Sequence, residues 1–402
     1  MSDAPIDAPG CEAGQPVHVV GHASYPTEQQ TMTFLSHDAS GVLCGRMTAS
    51  GQSPEVMLDV PPGGMVTASS VTDAPAQRIF TWTDVHPGDD LIFPSSLRHG
   101  LYSRHVTTSI TFAALPGAIE GYNVMLQCDF GSITNAFIQP GTSSVAIDCT
   151  EDARDVVVHL MTRTSAGYYF AASPLTPIAA KGPTTLAVSD WAPARLTPST
   201  IHGDLSAFQQ VSVKFQPTPP ASNGVLGLFA QFEDEPSSDP TVLPATALPD
   251  EPTHISVTLN TPYTKGRGIE RLYASPPASL DVTLETDFLP NVDAMFHPDP
   301  HRPEVSWTAD RPIDNADIVL AQLNINDRAR WSIEVAGTAS SVRFPELPAD
   351  VLATAPGSLF GLSIVESSDI EGWDAIRENP NEVWNTPNYR VTSHGVFYAG
   401  TY

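Results

Sequence analysis

The residues best placed to do chemistry lie in one short run, Phe296-His297-Pro298-Asp299-Pro300-His301. Two imidazoles stand four apart with a carboxylate between them. Four apart would share one face of a helix, but Pro298 and Pro300 forbid a helix here. In an extended segment His297, Asp299 and His301 project to the same side. Two imidazoles and a carboxylate suit zinc or copper better than calcium. Strand rise sets adjacent ligands roughly 6–7 Å apart, so one ion joins all three only if the chain bends. The competing reading is a solvated Pro-rich loop. The pairs His18/His22 and His99/His105 read as ordinary exposed or half-buried histidines.

The last hundred residues hold Trp307, Trp331, Trp373 and Trp384. Trp307 and Trp331 sit in strand-like runs and read as core. Trp373 and Trp384 lie in polar surroundings and are the candidates for a ligand-contact surface, where an indole face could stack on a sugar ring. The acidic clusters Asp89-Asp90, Glu233-Asp234-Glu235 and Glu366 with Asp369 read as solvated turns, with structural calcium as the alternative. No cofactor is expected beyond that. Lys265-Gly266-Arg267-Gly268 reads as a hairpin tip, since no Walker-type Lys-Ser/Thr follows it. Neither a G-x-S-x-G elbow nor an H-E-x-x-H pair occurs. A non-catalytic binding or structural role is therefore expected. The alternatives are a hydrolase whose site is assembled from distant loops, and a calcium-dependent adhesion module.

Composition narrows the setting. The chain has 402 residues with 19 basic and 45 acidic side chains, a formal net charge of −26. Such a field repels nucleic acid and anionic membrane surfaces and keeps the protein soluble. No apolar run is long enough to span a bilayer as a helix. The 38 prolines, spread along the whole chain, disfavour long helices. The four cysteines, Cys11, Cys44, Cys128 and Cys149, suit two disulfides in an oxidising compartment. Cys128–Cys149 is expected as a local staple, with Cys11–Cys44 tying down the N-terminal segment; four free buried thiols are the alternative.

The elements that must position these residues are strands. Val56, Leu58 and Val60 alternate, as do Val106, Thr108, Ile110 and Phe112, then Val211, Val213 and Phe215, and later Ile255, Val257 and Leu259. The fold class is all-β, with tandem antiparallel sandwiches, Pro-rich loops and only short helical turns. The divisions read as a flexible acidic linker at 1–15, a small sandwich at 16–94, a second sandwich at 95–203, and a larger irregular β-rich region at 204–402, in one lobe or two. Leu280, Val282 and Leu284 read as one strand, and residues 233–252 as a long polar loop. Helical turns are expected at Pro348–Ala353 and Ile370–Arg377, the latter capped by Ser367 or Ser368.

The order of strand, Asp38-Ala39-Ser40-Gly41, strand, Asp59-Val60-Pro61-Pro62-Gly63-Gly64, strand resembles carboxypeptidase-regulatory-like and transthyretin-like β-sandwich modules. The resemblance covers under a fifth of the chain and departs from the pattern after Val71, where the strand from Arg78 to Val85 has no counterpart. It implies a fold and an extracellular setting, not an activity. The repeat of Asp3-Ala4-Pro5 as Asp7-Ala8-Pro9 resembles the tether that follows the lipidated cysteine of bacterial surface lipoproteins. On that resemblance Met1 is not expected to be the native start and a lipid anchor is expected upstream; the alternative is a native Met1 and a cytosolic protein. The general plan also resembles uncharacterised lipoproteins of that kind. The expected location is the outer surface of a bacterium or the medium, and the expected partner a surface protein or carbohydrate.

Overall fold

A computed structural model describes residues 11–21, 30–51, 53–71, 77–93, 102–128, 133–150, 154–217, 230–234, 236, 240–247, 253–261, 265–299, 301–326, 329–352, 357–370, 372–378, 383, 386 and 388–395. The fold is all-β, built of sheets packed as sandwiches; among the described residues helix occurs only at Leu284–Asp287, at Val383 and in a 3-10 turn at Trp373–Ala375. The chain divides into two compact units. The first comprises Met1–Ser95, Asn260–Gly268 and Phe288–Ala399; the second comprises Ser96–Leu259, Ile269–Asp287 and Gly400–Tyr402. Residues 204–402, read above as one region, contribute to both.

In the first unit a broad sheet runs through the strands Tyr389–Gly395, Ser358–Ser367, Ile318–Asn326, Ala329–Ala336, Gln77–Val85, Gly64–Val71, Gln30–His37 and Leu43–Gly51. Both of its faces are covered, and period-two alternation sorts the side chains between them. Phe80, Trp82 and Leu320 face a core shared with Val17, Val19, Val56, Leu58 and Leu91 of the small sheet formed by Glu55–Val60, Gln15–Val20 and Asp90–Ile92. Their immediate neighbours Ile79, Val319 and Ala321 face the opposite core. That core is shared with Val292, Val305, Trp307 and Val342 of the sheet Val292–His297, Glu304–Ala309, Ser341–Arg343. Trp307 and Trp331 are buried there, as their strand positions imply. The Trp331 indole N–H donates to Thr81 Oγ1 at 3.0 Å, and Thr81 meets Thr67 at 2.9 Å, so the polar groups inside this core are paired.

The strand from Gln77 to Val85 explains the break in the resemblance. Its residues 77–81 pair in parallel with 329–333, so residues 16–94 do not close on themselves. That partner lies some 250 positions away, beyond the reach of any local pattern.

In the second unit, one sandwich sets Ile133–Ile138, Tyr122–Cys128, Asp155–Thr164, Gly167–Ala172 and Ala192–Pro193 against Gly141–Thr150, Tyr102–Phe112 and Thr184–Val188. Cys128 and Cys149 form a disulfide between the two sheets, buried in their common core. Cys11–Cys44 is the second disulfide. Both expected pairings are therefore present, and no cysteine is free.

Three local readings are corrected. The stretch 233–252 is not one loop, because Thr241–Ala247 forms a strand paired with Arg195–His202. It sits at a sheet edge, where Pro244 removes no needed donor. Lys265-Gly266-Arg267-Gly268 is not a hairpin tip but opens the strand Lys265–Tyr273. The turn lies just before it, where Thr261 N–H donates to the Lys265 carbonyl at 2.8 Å. Leu284 leaves the strand to start the short helix, whose Asp287 accepts from Thr283 N–H at 2.7 Å.

At the helical turns, Leu352 N–H donates to the Pro348 carbonyl at 2.9 Å, within the expected span. The run 370–377 holds only the 3-10 turn, with Gly372 rather than a serine at its N-cap and no side-chain cap. Ser367 Oγ is engaged instead with Thr386 Oγ1 at 2.9 Å.

Candidate functional site

The sequence-derived candidates do not converge. His297 ends its strand and bonds through Nε2 to Ser306 Oγ at 2.8 Å. Asp299 folds back on its own turn, Oδ1 accepting from His301 N–H at 2.8 Å and Arg302 N–H at 2.9 Å. Those two backbone donors hold its carboxyl below the usual range. One oxygen of the carboxylate between the two imidazoles is thus engaged in an Asx turn. Among the described residues no group of three or more His, Cys, Asp or Glu is placed to hold a metal ion.

Trp373 packs half-buried against the cluster of Ile318, Val365, Ile376 and Tyr389, and its indole nitrogen is shut off from solvent. It is a wall of that core, not an open stacking platform. Trp384, His22 and His99 lie outside the described residues. The acidic pairs are tied up structurally. Asp89 is buried against Arg377, and Asp90 meets His18 at 2.7 Å. Glu366 pairs with Arg390, and Asp369 with the Asn388 amide.

Two other arrangements stand out. The first is a solvent-open cleft of about 360 Å³ in the first unit, at the small end of the roughly 300–1,000 Å³ usual for ligand sites. Met65, Thr83 and Val335 line it from the broad sheet. Ser341, Val342 and Arg343 line it from the covering sheet, and Ala39, Ser40 and Arg302 complete it. Thr83 Oγ1 donates to the Glu334 carbonyl at 2.7 Å, which fixes its rotamer. Arg302 is anchored by donation from Nη2 to the Ser40 carbonyl. Its Nε–H is excluded from solvent and meets no acceptor. His37, beside Met65 in the strand ladder, is fully buried with both ring nitrogens unpartnered. Burial pushes its pKa down to about 3, with the Arg302 charge acting the same way against the pull of Asp38. The imidazole is therefore neutral, and Arg302 keeps its charge to itself.

The turn that carries Ser40 depends on Gly41. It has φ +84°, and a Cβ there would stand 2.7 Å from Arg302 Nη2 and 3.1 Å from Pro345 Cα. Gly41→Ala is expected to lower stability by about 1–3 kcal/mol and to push Arg302 off the Ser40 carbonyl. Urea unfolding checks the first effect; an unchanged midpoint contradicts it.

The second arrangement is a buried polar layer in the second unit. Glu270 lies 3.1 Å from His254 Nδ1, both almost fully buried. Burial pushes the Glu270 carboxyl up to about 8, against the opposing pull of a Ser256 hydrogen bond and the Lys214 charge. Glu270 is thus held toward its neutral form beside His254. Serine, histidine and carboxylate suggest a hydrolase, but the order is wrong. The carboxyl stands between the hydroxyl and the imidazole, whereas nucleophile activation needs the imidazole between them.

The cleft residues were hidden in the sequence. Ser341 and Arg343 flank one buried valine in an unremarkable run. The only available signal was the scarcity of basic side chains, which makes two arginines in one cleft noteworthy.

No family model matches the chain, and no curated protein matches it. Among solved structures it aligns with the chicken CNTN1 FN1-FN3 domains at 9% identity, over 75% of this chain and 88% of that one, with a TM-score of 0.13. It also aligns with a mutant Salmonella alpha-2-macroglobulin at 8% identity, over 96% of this chain and 29% of that one, with a TM-score of 0.13.

Proposed function

We propose that this chain is a secreted or surface-displayed binding protein that takes its ligand in the Arg302–Arg343 cleft. The observation that carries the reading is the placement of Arg302 and Arg343 on the wall of one open cleft in a chain with only 19 basic residues. Two guanidinium groups side by side select an anionic ligand group. Two disulfides and a strongly acidic composition support the extracellular setting. Among the described residues no helix is long and apolar enough to cross a membrane. The tether-like opening residues support attachment through an upstream anchor.

The test is a thermal-shift and NMR screen of peptides and oligosaccharides against the wild type and Arg343→Glu. The reading expects at least one ligand whose binding the variant loses. Ligands that bind both proteins equally, or none at all, would contradict it.

A further inference from the structure

The cleft wall formed by Ser341–Arg343 is a sheet edge. Among the described residues, the order Val292–His297, Glu304–Ala309, Ser341–Arg343 leaves the last strand with a neighbour on one side only. Its ladder is antiparallel, with Val342 opposite Val305. Trp307 N–H donates to the Ser340 carbonyl at 3.0 Å, and Phe344 N–H to the Pro303 carbonyl at 2.9 Å. Bonded residues alternate in such a ladder. Residues 340, 342 and 344 therefore turn their backbone groups to the inner strand, while Ser341 and Arg343 turn theirs away from it, to the free edge. The Val342 side chain is buried in the core, so the strand is held firmly from behind.

An edge of this kind is a template for one more strand. What could pair there is set by charge. Arg302 and Arg343 both line the cleft. Two neighbouring carboxylates are hydrogen-bonded within their own turns: Asp38 Oδ1 accepts from Ser40 Oγ at 2.7 Å and Val42 N–H at 2.9 Å, and Asp299 Oδ1, which also feels the Arg343 charge, accepts from two backbone amides. Glu304 faces Arg343 across the ladder and offsets part of its charge. Only 19 basic residues oppose 45 acidic ones in the chain. Two guanidinium groups beside open backbone donors are therefore a local exception.

We propose that the cleft binds an extended acidic peptide, which adds as a strand to Ser341–Arg343 and places a carboxylate between Arg302 and Arg343. The inference rests on the cleft being the ligand site and adds the class of ligand. Main-chain pairing supplies the alignment, and the guanidinium groups select the carboxylate. An oligosaccharide would use neither outward amide in a regular way.

Calorimetric titration with the blocked peptide Ac-Thr-Val-Glu-Val-Thr-NH2 tests the proposal, with its Gln counterpart as control. Arg343→Gln removes one guanidinium at an exposed position. Ser341→Pro removes one outward N–H and leaves the inner ladder intact, since proline is tolerated on a sheet edge. Both variants are expected to fold, and their unfolding midpoints check that. The Glu peptide should bind about tenfold or more tightly than the Gln peptide, and each substitution should weaken it by about tenfold or more. Equal binding of the two peptides, or binding that neither substitution changes, overturns the proposal. If the peptides are silent while an acidic oligosaccharide binds and loses affinity in Arg343→Gln, the peptide assignment fails and the cleft reading stands. If no ligand distinguishes Arg343→Gln from wild type, both fail.

Discussion

The stability of this protein is expected to peak between about pH 4.5 and 6.5 and to fall on both sides. Two buried histidines and two buried glutamic acids are shifted against their charged forms: His37 and Glu334 in the first unit, His159 and Glu270 in the second, where His254 is buried as well. Burial lowers the two histidines from 6.5 to about 3 and about 4. It raises Glu270 from 4.5 to about 8 and Glu334 well above 4.5.

Below pH 4.5 the unfolded chain carries a proton on each histidine that the folded chain refuses. Stability there falls with falling pH until the folded values near 3 and 4 are passed. Above pH 6.5 the folded chain keeps a proton on each glutamic acid that the unfolded chain has released, so stability falls as pH rises, for Glu270 until about pH 8. Between 4.5 and 6.5 the two kinds of group cancel within each unit. A shift of this size is worth on the order of 5 kcal/mol for His37 or Glu270 at the far end of its limb, which is comparable to a domain's whole stability. Urea midpoints across pH 3–9 check this. Glu334→Gln and Glu270→Gln should flatten the alkaline limb and leave the acid limb standing. A maximum above pH 7, or an alkaline limb untouched by both substitutions, would contradict the account.

Removing the Cys128–Cys149 bridge is the second large effect. The two cysteines stand 21 residues apart and join opposite sheets inside the core of one sandwich. Closing a loop of that length is worth about 3 kcal/mol through the unfolded chain. The Cys128→Ala/Cys149→Ala variant should lose about that much, read as a lower urea midpoint under oxidising conditions. In strong reductant the wild type should converge on the variant. A variant as stable as the oxidised wild type would show that the apolar core carries the sandwich unaided.

What the sequence made legible follows from which faces meet water. Glu55–Val60 has one buried face, and its alternation announces a strand. Ile318–Asn326 is covered on both faces, with Val319 in one core and Leu320 in the other, so it shows no alternation. The Cys128–Cys149 bridge was legible because both residues lie near the edges of strand-like runs, and Cys11–Cys44 followed as the remaining pair. The parallel pairing of 77–81 with 329–333 was not, because register across 250 residues leaves no local trace.

The candidate sites fared differently for physical reasons. His297, Asp299 and His301 offered the right atoms, but a carboxylate two residues before a backbone amide closes its own turn before it can wait for a metal. Glu334 and Glu270 left one faint mark each, an acid flanked by apolar or arginine neighbours within a strand. The cleft is assembled from six separate stretches, at residues 39–40, 65, 83, 302, 335 and 341–343, and a site of that kind has no motif to find.

Hydrogen exchange at single-amide resolution, with and without the Glu-containing peptide in excess, tests the central claim most directly. The account predicts slowed exchange at the Ser341 and Arg343 amides, with Val342 already protected by its inner ladder before peptide is added. Peptide binding that leaves Ser341 and Arg343 exchanging at their free rates would place the ligand elsewhere and contradict the account.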